Sequence, residues 1–592
     1  MTLNILNKIN EPKDLKSLSR EELNLLSSEI RDVLIKRVST TGGHFGPNLG
    51  MVEATIALHY VFNSPVDKFV YDVSHQSYVH KMLTGRKEAY INPEKFKTVT
   101  GYTEPKESEH DFFTIGHTST SISLACGLAK GRDAVGSNEN IIAIIGDGSL
   151  SGGEAYEGLN NAAASNKNII ILVNDNDISI AENHGGLYKN LAQLRESEGK
   201  LDNNFFKSLG FEYHFVKDGN NLESLIETFE KVKDTTRPVV VHMHTIKGKG
   251  YEDAENNKES FHWVMPFDLE TKEPLFKGEY VKSYGDITED FLIEKAKKDK
   301  SIVAITAATP GIVGVNRFRS ELQDQYVDVG IAEEHAIALA SGMAKRGAKP
   351  VAAFLSSFIQ RTYDQLSQDL AINNNPATIM VYWGGISGSD VTHLGLFDIP
   401  LISNIPNMVY LAPTTKEEHL AMVDWAIEQD KHPVAIRVPN MEVVSTGVGV
   451  EANFDELNKY VMVEEGKDVA IIGLGSFFHL GKKVQERLRN TGINATLINP
   501  RFITGVDEDL LNELKENHKV VITLEDGILD GGFGEKIARF YGNSQMRVLN
   551  FGATKEFTDS VELDVLYERY HLTEELIVED IEKVLADIKV FA

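Results

Sequence analysis

The chain has 592 residues, 42% hydrophobic and 25% charged, with 60 basic residues against 87 acidic ones, and this length sets a prior of three or four domains. A formal charge of -27 argues against a general binder of nucleic acid or anionic membrane, which needs a basic field. One cysteine, Cys126, leaves no intramolecular disulfide; no window approaches the roughly 18 apolar residues of a membrane span, and the amino-terminal stretch lacks a signal-peptide pattern, so a cytoplasmic protein is expected.

In chain order, short β-branched runs alternate with longer amphipathic stretches. The first third carries NIIAIIGDG (140–148), NIIILVNDN (168–176) and RPVVVHMHT (237–245). The middle third carries KSIVAITAA, KPVAAFLSS, PATIMVYWGG, NMVYLAP and HPVAIRVPN, and the last third DVAIIGLGS, INATLINPR, KVVITLED and MRVLNFG. Near-continuous hydrophobicity marks strands buried on both faces, as in parallel sheets. Helical patterns such as EEHLAMVDWAIEQ and FFHLGKKVQERLR lie between them. The pattern predicts an α/β protein with doubly wound organisation repeated three times. The polar connections DAENNKESFHWVMPFDLETKEPLFKGEYVKS and NMEVVSTGVGVEANFDELNKY set the expected domains at 1–280, 281–447 and 448–592. Cys126, in SISLACGLAKG, reads as core packing rather than as a nucleophile.

Two turns carry the first chemical signal. Gly146-Asp147-Gly148 ends one apolar run and Asn174-Asp175-Asn176 ends the next, with Asp147 and Asn176 separated by 29 positions (176 minus 147), about one β-loop-helix-β unit. In open α/β sheets, ligands bind beyond the carboxyl ends of the strands. An Asp carboxylate and an Asn amide oxygen are hard ligands suited to Mg²⁺, which also takes substrate phosphates. Gly148 and Ser151-Gly152-Gly153 are expected to let backbone approach that ligand, and a helix around EAYEGLNNAAA to aim its N-terminus at the anion. Alone, GDG is a common turn; paired with NDN after a matching strand, it resembles the signature of thiamine-diphosphate enzymes.

Longer motifs narrow the resemblance. TTGGHFGPNLG (40–50), YDVSHQSYVHKMLTGR (71–86), TIGHTSTSIS (114–123), IKGKGYEDAE, SFHWVMPFD, DVGIAEEHA, SSFIQRTYDQ and SDVTHLGLFD occur in the order of the 1-deoxy-D-xylulose-5-phosphate synthase family, over nearly the whole chain. The resemblance implies a transketolase-like thiamine-diphosphate fold with a diphosphate-binding first domain, a pyrimidine-binding second domain and a C-terminal domain that dimerises. It also implies a homodimer acting on small molecules in isoprenoid precursor biosynthesis, with neither nucleic acid nor membrane as partner.

Residue by residue, the resemblance makes Asp147, Asn176 and the Ile178 carbonyl the Mg²⁺ ligands. Cofactor contacts fall on His75, Gly116, His117, Gly146, Gly148, Ser149, Lys247 and Phe358, the last stacking on the pyrimidine. Glu333 hydrogen-bonds the pyrimidine ring and promotes the tautomer that accepts the thiazolium proton; Glu334 is the competing assignment. His44, His75, His117, His262 and His393 match active-site positions, where an imidazole suits proton transfer. Asp390 and His393 match the pair that handles the pyruvate-derived intermediate, although they are three positions apart where the family pattern has four. Arg361 matches a family arginine, and His44, Arg361, Asp390 and His393 are the expected substrate contacts.

Three positions depart from the pattern. Trp383 stands where the family has an arginine, Asn440 where it has a second, and Leu355 where it has a tyrosine. In the family these positions bind the phosphate of glyceraldehyde 3-phosphate, and Trp, Asn and Leu cannot reproduce a bidentate guanidinium contact. One reading relocates the phosphate contact to a neighbour such as Arg437 or Arg361; the other changes the acceptor. A transketolase-like enzyme with a ketose donor is the alternative carboligase, and a non-catalytic paralogue is opposed by the retained Glu333.

Overall fold

The computed structural model describes residues 3–165, 167–276, 278, 280–450 and 454–591. Its strands follow the β-branched runs. In the first unit, Met1–Glu279 with Gly330–Ala332, these are β1 (Gly43–His44), β2 (Lys68–Tyr71), β3 (Ile141–Gly146), β4 (Ile170–Asp175), β5 (Glu212–Val216), β6 (Val239–His244) and β7 (Trp263–Val264). Five of them form an all-parallel sheet in the order β2-β3-β4-β6-β5, and β1 pairs with β7 separately. Central β4 is buried along its whole length, as its lack of polar alternation requires. The β3–β4 register sets Gly146 beside Asn174, and the Asp147 N–H donates to the Asn174 carbonyl at 3.0 Å. The two turns singled out in the sequence therefore leave the sheet side by side. Cys126 is half-buried against the core of this unit.

The second unit, Tyr280–Val329 with Glu333–Ala592, carries β8 (Ile302–Thr306), β9 (Tyr326–Asp328), β10 (Lys349–Leu355), β11 (Thr378–Tyr382), β12 (Val409–Leu411), β13 (Val434–Arg437), β14 (Val461–Glu464), β15 (Asp468–Gly473), β16 (Thr496–Asn499), β17 (His518–Ile528) and β18 (Arg547–Ala553). They build a six-stranded parallel sheet, β12-β13-β11-β10-β8-β9, and a five-stranded sheet, β14-β16-β15-β17-β18, whose edge strand β14 runs antiparallel. A capping box of Ser283 and Asp286 starts the first helix of the unit, Tyr284–Lys298. The α/β class with parallel sheets expected from the sequence is what the structure shows.

The acidic pair Glu525-Asp526 on β17 faces two ways. Glu525 accepts the N–H groups of Phe533 and Gly534 at 2.8 and 2.7 Å, where the helix Phe533–Tyr541 begins. A Cβ at Gly532 would stand 2.6 Å from the same carboxylate, which explains the glycine there. Asp526 instead reaches Arg437 at the end of β13. Asp526 thus ties the two sheets of this unit together, while Glu525 caps a helix within the last third.

Candidate active site

At the carboxyl ends of β3 and β4 the first unit holds a cavity lined by His75, Gly146, Asp147, Gly148, Ser149, Asn176, Ile178, Lys247 and His262 among others. Gly116 and His117 lead directly into the lining residue Thr118. His44 joins through ring contacts, its centroid 4.8 Å from that of His75 and 5.6 Å from that of His262. The first-unit residues expected from the sequence are therefore brought together.

The donor set at this cavity fits a divalent cation. Asp147 is 2% exposed, and burial, followed by the charge of Asp175, pushes its carboxyl up to about 8. Asn176 Oδ1 is buried with no hydrogen-bond partner among the described residues. Ile178 lines the same space. Among the described residues no cluster of three His, Cys, Asp or Glu could hold a metal, so a cation here must draw on amide and carbonyl oxygens beside Asp147, as hard cations do. Asp175 turns away from the cavity, between Arg195 at 2.7 Å and His242 at 2.8 Å.

Lys247 is 1% exposed, and burial pushes its amine down to about 7. Its Nζ lies 3.0 Å from His262 Nδ1 and donates to the Ser179 carbonyl. Burial, and then the charge of Lys247, holds His262 well below its ordinary value, so its ring is a neutral proton acceptor at neutral pH.

Two glycines of the run are also required by packing. A Cβ at Gly148 would lie 2.3 Å from Ser179 Cβ, and one at Gly152 2.1 Å from Ser119 Oγ, while Gly153 has nothing within 4 Å. Protein packing alone excludes a Cβ at the first two, and Gly148 also lines the cavity. The helix Gly153–Ala164 starts beyond the cavity, whose wall is instead the 3₁₀ turn Gly148–Ser151. Sequence reading also missed Asp72, whose carboxylate accepts the N–H groups of Ser119 and Ser121 at 2.8 and 3.0 Å. It lines the cavity beside Val73, and Val73 and Ser74 both have left-handed backbone (φ 57° and 66°). The aspartate directly after the run KFVY was the available signal.

In the second unit, Glu333 opens the helix Glu333–Lys345 and is 4% exposed. Burial, opposed by Arg361, pushes its carboxyl up to about 7. Arg361 Nη1 lies 3.9 Å from Glu333 Oε2, and that oxygen has no hydrogen bond among the described residues. A buried carboxyl without a bond at one oxygen fits a ring-nitrogen partner; Glu334 is only half-buried. Phe358 and His393 meet edge to face, 5.6 Å between centroids. Asp390 Oδ1 lies 3.2 Å from His393 Nδ1. Burial raises Asp390, but bonds from His393 and Thr392 outweigh it and hold the group below its ordinary value.

The three departures cluster. Leu355 pairs with Tyr382 across β10–β11, and Val381 with Arg437 across β11–β13, so Leu355, Trp383 and Asn440 sit at neighbouring strand ends. Leu355 is buried, whereas Trp383 is 52% exposed on left-handed backbone (φ 56°). Arg437 cannot replace the lost arginines. Its guanidinium donates to Asp398 at 2.7 and 3.2 Å and to the Asp526 carboxylate, all buried, and a Cβ on Gly384 would press it at 2.7 Å.

The buried oxygen set at the parallel strand ends of the first unit suits a cation, the second unit holds a buried glutamate, and the family matches make the chain a thiamine-diphosphate-dependent transferase of the transketolase type. Residues 282–444 match the transketolase pyrimidine-binding domain and 458–577 the transketolase C-terminal domain, while 6–202 and 198–245 match the family described as 1-deoxy-D-xylulose-5-phosphate synthase. Curated proteins of that name are similar throughout: one from Halothermothrix orenii is 39% identical over 97% of this chain and 96% of its own. Another, from Caldanaerobacter subterraneus subsp. tengcongensis, is 39% identical over 98% of both. The chain belongs to the 1-deoxy-D-xylulose-5-phosphate synthase family.

Proposed function

We propose that this carboligase takes a two-carbon unit from pyruvate and adds it to an aldehyde that is not recognised through a phosphate at the family position. The carrying observation is the strand-end cluster of Leu355, Trp383 and Asn440, with Arg437 committed to Asp398 and Asp526. Losing two charge-assisted contacts of about 1.5–3 kcal/mol each removes roughly two to four decades of binding to a phosphorylated acceptor.

Asp147, Asn176 and the Ile178 carbonyl would hold Mg²⁺, and Ser149, Gly148, His75, His117 and Lys247 the diphosphate end of the cofactor. Bound thiamine diphosphate supplies a thiazolium that stabilises carbanionic charge. Glu333, whose protonated form burial favours, would donate to the pyrimidine ring, and Phe358 would pack against that ring. Neutral His262 and its neighbours His44 and His75 accept and return protons. Asp390 orients His393 and, with Arg361, receives the donor. The working form is a cytoplasmic homodimer on this reading, supported by the family resemblance; among the described residues no helix is long and apolar enough to cross a membrane.

The test follows labelled pyruvate by NMR with thiamine diphosphate and Mg²⁺, offering glyceraldehyde 3-phosphate or unphosphorylated aldehydes. Carbon–carbon products with the unphosphorylated acceptors at higher kcat/KM are expected. Efficient turnover of glyceraldehyde 3-phosphate with a low KM sinks the acceptor reading, and no decarboxylation of pyruvate sinks the donor. Glu333→Ala is expected to bind cofactor and lose turnover.

A further inference from the structure

We infer that Asn183 is a positioning residue that sets the Asp147 carboxylate for the cation. The inference rests on the reading that Asp147 and Asn176 hold that cation. The chain leaves β4 through Asn176 and Ile178, loops, and returns to Asp147. There Asn183 Nδ2 donates to Asp147 Oδ2 at 2.8 Å, and the Tyr188 hydroxyl donates to the Asp147 and Gly148 carbonyls, both at 3.2 Å. One loop thus begins at one oxygen ligand and ends gripping the other. Its middle is tied down as well: Ser179 packs on Gly148 and its N–H donates to the Ala181 carbonyl at 3.1 Å, while Lys258 Nζ donates to the Asn176 carbonyl at 3.0 Å.

An amide suits this position. It donates to one carboxylate oxygen at every pH and carries no charge to compete with the cation, leaving the remaining lone pairs of Asp147 available. Asn183 Oδ1 is buried with no hydrogen-bond partner among the described residues, so the bond to Asp147 is the polar contact that fixes this side chain. Groups that orient metal ligands in this way change cation affinity by about 10–100-fold when removed.

The test is an Mn²⁺ titration by EPR at fixed pH with thiamine diphosphate present, run beside thermal unfolding without cation. Asn183→Ala is expected to raise the Mn²⁺ Kd about 10–100-fold with an unchanged unfolding midpoint, and Asn183→Gln, which keeps the donor, to recover part of the loss. Asn183→Gln also serves if the alanine variant fails to fold. A Kd within about twofold of the parent in Asn183→Ala overturns the inference. So does Asn183→Asp binding Mn²⁺ more tightly than the parent does, because that makes position 183 a ligand. Asp147→Ala separates the two readings: if it binds Mn²⁺ normally, the cation site itself is misplaced.

Discussion

Replacing Arg437 with methionine removes the one cation from a buried group of three charges. Asp398 and Asp526 lie on segments 39 and 89 positions away in sequence. Asp398 also accepts from the Tyr410 hydroxyl, and Asp526 accepts from Ser476 Oγ at 2.7 Å. Neither hydroxyl can neutralise a carboxylate. Breaking a buried pair by removing one partner costs about 3–5 kcal/mol, against about 0–1 kcal/mol for an exposed pair. At about 2 °C per kcal/mol for a unit of this size, calorimetry should show the midpoint fall by about 6–10 °C. Changing Arg437→Met, Asp398→Asn and Asp526→Asn together should recover most of the loss, since no charge then stays buried. The reasoning fails if Arg437→Met shifts stability by less than about 1 kcal/mol, or if it leaves unfolding unchanged and raises only the acceptor KM. That last result would return Arg437 to the substrate.

Two further outcomes are expected. Glu333 has its folded value raised from 4.5 to about 7, so its contribution to stability is full below 4.5 and is lost as pH rises through 7, an order of 3 kcal/mol. The difference in stability between the parent and Glu333→Gln should therefore slope across that window, and the protonated-carboxyl infrared band in the parent-minus-Glu333→Gln difference spectrum should fade between pH 6 and 8; a flat difference refutes the assignment. Gly148→Ala should destabilise by about 1–3 kcal/mol, whereas Gly153→Ala, with open space around its Cβ, should change stability by less than about 0.5 kcal/mol; equal effects would refute the packing account.

The strand-end chemistry was legible because parallel register follows from hydrophobic pattern: once β3 and β4 are neighbours, GDG and NDN must emerge together. The resemblance chose Glu333 over Glu334, and burial agrees with that choice. Asn183 left no pattern, since it acts through a loop that returns to its start, and spacing along the chain does not encode that closure; Asp72 is marked by its place after KFVY, but its partners Ser119 and Ser121 lie 47 and 49 positions away. Arg437 could be offered as a substitute phosphate ligand only because its partners are remote in sequence. The packing at the glycines was hidden for the same reason: the atoms that forbid a Cβ at Gly148 and Gly152 belong to Ser179 and Ser119.

Val73 bears on how the cavity meets its ligand. A β-branched residue with positive φ is a genuine outlier, and such backbone stores on the order of 1–3 kcal/mol. The neighbouring Ser74, also left-handed, is held by its hydroxyl's bond to the Ile115 carbonyl at 2.6 Å, with the Thr103 N–H donating back to that hydroxyl at 2.9 Å. That part of the wall is therefore ordered when the chain folds, at the expense of global stability, and not when a ligand arrives. Substitutions that relax it would yield a sturdier protein with a softer site, so a search for thermostable variants that ignores activity would drift toward Val73 and its neighbours.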